Sequence, residues 1–141
     1  MLLIKGRDLE LLEIKNLIRT GDSTDDYWDA NWLHAEIYIE TASFKAHYAT
    51  PLRTEDFQVF QQQVVCMKNN TAKIIEFLTM EGGFSLLGTL QTNGVIICTG
   101  KATDEAGNCL EYRFFIDNIV LDYLNDQISD ILKKYPVIGR P

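Results

Sequence analysis

Histidine is scarce in this chain: His34 and His47 are the only two, so few side chains titrate near neutral pH without perturbation. Cysteine is nearly as rare. Cys66, Cys98 and Cys109 are odd in number and far apart, which argues against a disulfide framework and for a reducing compartment. Basic charge is in deficit, thirteen Lys and Arg against twenty Asp and Glu. The resulting net charge of −7 opposes contact with phosphate backbones or anionic lipid and favours basic partners. No apolar run approaches the roughly 20 residues that span a bilayer. The start of the chain, Met1-Leu2-Leu3-Ile4-Lys5, meets charge at Lys5, Arg7 and Asp8, too soon for a signal peptide. The expected location is cytoplasmic.

Catalytic signatures are missing as well. There is no Gly-rich phosphate loop, nucleophile elbow, His-Glu-x-x-His pattern or Cys-x-x-Cys pair. The expectation is a protein that binds rather than catalyses, with no catalytic, cofactor or metal site. A hairpin centred near residues 42 and 43 sets His47 opposite Tyr38 and away from His34, so the two histidines do not form a pair. A turn centred on Glu105-Ala106 pairs Cys109 with Ala102 and leaves Cys98 near Arg113, too far for a disulfide. Cys98 and Cys109 then read as small buried hydrophobes.

What remains is an ordinary globular composition, 46% hydrophobic and 23% charged over 141 residues, enough for one core and one domain spanning 1–141. Residues 2–18 are drawn as a strand pair turning at Gly6-Arg7-Asp8, although a short helix also fits their apolar spacing. Leu33, Ala35, Ile37 and Ile39 alternate with polar residues, and Phe44, Ala46 and Tyr48 continue the alternation, which predicts a hairpin. Thr54 is the expected cap of a helix whose Phe57, Phe60, Val64 and Met67 form one apolar stripe, with Glu55 and Asp56 at the positive end of its dipole. Strands follow over 74–80, 84–90, 95–102 and 110–116, with Asn93-Gly94 the clearest hairpin turn. A last helix from about Ile119 carries Leu121, Leu124, Ile128, Ile131, Leu132 and Tyr135 on one face and stops at Pro136. No sequence repeat stands out. The fold class is α+β: a mostly antiparallel β-sheet of about six to eight strands with two amphipathic helices, one central and one C-terminal.

One segment stands apart. Gly21 to Asn31 reads as a loop that sets Asp22, Asp25, Asp26 and Asp29 around Tyr27 and Trp28. Clustered carboxylates suit calcium, but the EF-hand pattern fails: no Gly stands sixth from Asp22, and the twelfth position is Leu33 instead of a bidentate Glu. Two readings stay open. In one, Asp22, Asp25, Asp26, Tyr27, Trp28 and Asp29 form a partner-binding surface, carboxylates attracting a basic partner and aromatics anchoring it. In the other, the loop is merely solvated, with Trp28 or Trp32 plugging the end of the core.

Three stretches, Asp26-Tyr27-Trp28-Asp29-Ala30-Asn31-Trp32-Leu33, Leu52-Arg53-Thr54-Glu55-Asp56-Phe57 and Ile131-Leu132-Lys133-Lys134-Tyr135-Pro136, resemble the WapI-like immunity family in the same order along most of the chain. That resemblance implies a cytoplasmic inhibitor that neutralises the toxic C-terminal domain of a wall-associated contact-dependent toxin, a tRNA-cleaving nuclease in the type case. The expected partner is a basic toxin domain; the net charge argues against direct contact with nucleic acid or membrane, and the chain is expected to be a monomer or weak homodimer. The alternative is a small-molecule-binding module or an enzyme with a site between sheet and helices, using His47 or Glu76. A third reading, an oligomeric adaptor, is also compatible with exposed aromatics.

Overall fold

The computed structural model describes residues 1–21 and 25–141. Among these residues, eight strands divide into two four-stranded antiparallel meanders. The first contains β1 (Leu2–Lys5), β2 (Leu11–Arg19), β3 (Trp32–Glu40) and β4 (Lys45–Arg53). The second contains β5 (Ile74–Leu78), β6 (Phe84–Leu90), β7 (Val95–Thr103) and β8 (Cys109–Asp117). A one-turn helix, α1 (Tyr27–Ala30), interrupts the β2–β3 connection, while α2 (Thr54–Lys68) follows the first sheet and α3 (Val120–Lys134) the second. The chain is thus two ββββα halves. The repeat is invisible in the sequence because the halves share an inside–outside pattern and not residue identities.

The periodicities hold. Leu33, Ala35, Ile37 and Ile39 on β3 are fully buried, as are Phe57, Phe60 and Val64 on α2. Leu121, Leu124, Ile128 and Ile131 turn the apolar face of α3 into the same core, which both sheets share. Residues 2–18 form the strand pair and not a helix, and Tyr38 pairs with His47 as the hairpin predicted. Edge-to-face contacts run from Phe57 and Phe60 to Phe77 and on to Phe84, with ring centroids 5.2, 5.4 and 5.6 Å apart.

Four expectations are corrected. The α2 cap is Arg53, not Thr54; Thr54 is buried as the first helical residue and its N–H donates to the Asn31 carbonyl at 2.9 Å. The β7–β8 turn lies half a residue later than drawn, so Cys109 pairs with Thr103 and Cys98 with Phe114. Cys98 is buried, its thiol pushed up to about 12 by desolvation, but Cys109 is exposed and not a core residue. The segment 21–31 is not all loop, since α1 forms within it.

Each helix closes the open edge of the other half's sheet. The Leu3 N–H on β1 donates to the Gln127 side chain of α3 at 2.6 Å, and the Glu76 N–H on β5 donates to that of Gln63 on α2. These amides would otherwise be free to pair with another chain. The helices join through Gln61, whose amide donates to Ser129 Oγ at 2.7 Å and Asn125 Oδ1 at 3.1 Å.

Candidate functional site

The two halves differ most where their second and third strands connect. In the second half the link is residues 91–94, a tight turn through Gly94 at φ +84°. In the first half it is residues 20–31, and that longer link holds the acidic and aromatic residues singled out in the sequence.

Asp26 starts α1: its side chain accepts from the Trp28 N–H at 3.0 Å, and its carbonyl accepts from Ala30 at 2.8 Å. Ala30 and Asn31 are buried, so the far end of the turn is rooted in the core. The other side faces water. Trp28 is 55% exposed, and Asp25, Asp26 and Asp29 are exposed around it. Tyr27 is half-buried and meets the Trp28 ring edge-on at 5.0 Å. Burial, then the neighbouring Glu55 carboxylate, raises the Tyr27 phenol above its ordinary value. Asp22 lies outside the described residues.

Sequence reasoning missed the residue that holds this turn in place. Arg53, at the end of β4, is only 1% exposed, and its guanidinium donates to the Trp28 carbonyl at 2.6 Å and the Tyr27 carbonyl at 2.8 Å. It also lies over three rings, 5.4 Å from Tyr27, 5.5 Å from Trp28 and 4.7 Å from Trp32. Its charge is met by Glu55 in a close ion pair. Planar stacking with several directed N–H groups is what guanidinium supplies and ammonium does not. The available signal was an arginine between two residues of core character, Leu52 and Thr54, at a strand end.

The C-terminal tail grips the same turn. The Asn31 side chain accepts from the Ile138 N–H at 2.8 Å and donates to its carbonyl at 2.9 Å. Arg19 donates to the carbonyls of Ala30 and Pro136. Gly139, at φ +73°, passes so close that a Cβ there would come within 2.6 Å of the Asp25 carbonyl oxygen. The three stretches behind the family resemblance therefore meet around α1. Asn31, Arg53 and Leu33 serve the fold, while Asp26, Trp28 and Asp29 project from it.

The alternative site residues are dispersed. His47 and Glu36 face each other at 3.4 Å on the outer face of the first sheet, whereas Glu76 lies on the outer face of the second. An open groove of about 710 Å³ between β2, β3 and the end of α3 contains His34, Glu36, Asp130 and Lys134. The Glu36 carboxylate is held below its usual range by the Asn16 amide and by His47, which suits a fixed anion more than a proton acceptor. Among the described residues, no three His, Cys, Asp or Glu side chains cluster as a metal site, and no helix is long and apolar enough to cross a membrane.

Fold and site together define an α+β protein that presents an anchored acidic-aromatic turn. The chain belongs to the WapI-like immunity protein family, which matches residues 3–136. Membership implies an immunity role exercised by binding a toxin protein, and points away from enzyme activity. No curated protein matches the chain in sequence. Among solved structures it is similar to one from the crystal structures of Trypanosoma bruciei MRP1/MRP2, with a TM-score of 0.52 and 10% identity over 94% of this chain and 82% of that one. At that identity the likeness concerns the fold alone.

Proposed function

We propose that this protein neutralises the toxic domain of a cognate contact-dependent bacterial toxin by seating α1 on the toxin's basic surface. Asp25, Asp26 and Asp29 supply the attraction, and Tyr27 and Trp28 the apolar anchor. The observation that carries this reading is Trp28, more than half exposed on a turn that a buried arginine and the C-terminal tail hold rigid. A large side chain already fixed in place loses little entropy on binding, and exposed tryptophans of this kind are over-represented at energetic centres of interfaces. The net charge of −7 suits a toxin that handles nucleic acid, since a nuclease needs basic surface and an acidic protein is drawn to it. The proposed setting is the cytoplasm of the toxin-producing cell.

This reading predicts a basic toxin domain encoded immediately upstream, and the test pairs this chain with it. Replacing Asp25, Asp26 and Asp29 by Asn keeps the cap at Asp26 but removes the charges; it slows association about tenfold or more at low salt and flattens the salt dependence. Replacing Trp28 by Ala speeds dissociation instead. If both variants bind like the parent, the toxin docks elsewhere.

A further inference from the structure

The two sheets are built alike but expose unlike outer faces. Across the first sheet, the outward rows read Leu3, Glu13, Tyr38, His47 and then Lys15, Glu36, Ala49, mostly polar and mutually paired. Across the second, one outward row reads Ile74, Thr89, Ile97, Phe115 and the next Glu76, Leu87, Thr99, Arg113. Among the described residues no helix covers this second face, because α2 and α3 pack on the inward side with Phe77, Phe84 and Phe114. Ile74 is 54% exposed and Leu78 58%. An uncovered face that carries Ile74, Leu78, Leu87, Ile97 and Phe115 among polar residues is of the kind that marks a contact surface.

The order of residues within the rows says what fits there. A two-fold axis lying in the contact plane, parallel to the strands and between β6 and β7, leaves each row in place and reverses it end for end. Glu76 of one copy then faces Arg113 of the other, twice per pair. Ile74 faces Phe115 and Leu87 faces Thr99. Arg113 already lies on this face, its guanidinium 5.1 Å from the Phe115 ring, and the third row ends in the paired Lys101 and Glu111 as a polar rim. Sheets packed about such an axis cross at the small angle that their twist favours. We infer that the outer face of β5–β8 is a self-complementary docking surface for a second copy of this chain. This contact is separate from the α1 surface and goes beyond the toxin-binding reading. Four strands at about 4.8 Å spacing and seven residues at about 3.4 Å rise give a face of roughly 450 Å². That is well under the roughly 800 Å² per partner of a standard stable interface, so the dimer is a weak one that forms with rising concentration.

Sedimentation equilibrium over a concentration series reaching the millimolar range tests this. The parent chain shifts from monomer to dimer. Glu76→Arg and Arg113→Glu each place like charges at both ends of the row and weaken self-association about tenfold or more. An equimolar mixture of the two restores it, because each copy then offers the charge that the other lacks. Rescue by mixing also shows that both variants are folded, and thermal melts of each alone check this independently. A parent that stays monomeric throughout, or folded variants that fail to associate when mixed, overturns the inference. A monomeric parent whose toxin binding is lost in both variants overturns it too, and gives the face to the toxin.

Discussion

Arg53 is a buried charge that holds an exposed turn in place. Its desolvation is offset by Glu55, two carbonyls and three aromatic faces. Arg53→Met leaves the Glu55 carboxylate and both carbonyls without their partner, so the variant loses about 3–5 kcal/mol in urea unfolding. Arg53→Lys recovers only part of that, since one ammonium cannot serve both carbonyls and stack. Asp56 gives a second reading at this scale. Its carboxyl accepts from the Arg53 N–H at 2.8 Å, yet burial outweighs that bond and raises its pKa from 3.8 to about 6. The neutral form is therefore the better tolerated one. The stability this shift supplies is fully present below pH 3.8 and lost as pH rises through about 6, on the order of 2–3 kcal/mol. Asp56→Asn keeps an acceptor and removes the titration, so its unfolding free energy exceeds that of the parent above pH 6 and loses this pH dependence. Neither residue was legible beforehand, because a sequence shows which residues carry charge but not which become buried.

At the scale of elements, the sequence was most readable where one face is wet and the other dry. The alternation of Leu33 to Ile39 and the stripe of Phe57, Phe60, Val64 and Met67 follow directly from burial, and both turned inward as expected. Positions set by tertiary contact were not readable. Thr54 has an ideal capping side chain, but the Asn31 carbonyl takes its N–H and displaces the cap to Arg53. The exchange of helices across sheet edges was equally hidden, as nothing in Gln63 or Gln127 announces that each meets a strand of the other half. Replacing Gln127 by Ala removes one hydrogen bond and costs about 1 kcal/mol. Hydrogen exchange should then accelerate at Leu3 while the amides of β6 and β7 keep their protection. The C-terminal tail gives a matching prediction. Truncation after Tyr135 removes the Ile138 and Pro136 contacts, so exchange rises over Tyr27–Ala30 with the core unchanged.

For the whole molecule, the α+β class and the acidic segment could be read from composition and pattern, but the division into two ββββα halves could not. That division gives the segment its meaning: a repeat that makes do with residues 91–94 on one side spends 20–31 on the other, and roots the extra chain with Arg53, Asn31 and Arg19. The resemblance at Asp26 to Leu33 spans both, since its buried half holds the fold and its exposed half is the surface proposed for the partner. Binding to the cognate toxin domain that this reading predicts is the most direct test, measured by calorimetry for the parent and for a variant combining Trp28→Ala with Asn at Asp25, Asp26 and Asp29. The toxin surface is expected to take the parent in a one-to-one complex and to lose at least about a hundredfold in affinity for the variant, with its thermal melt unchanged. Equal affinity for the two, or no binding by the parent, would contradict it.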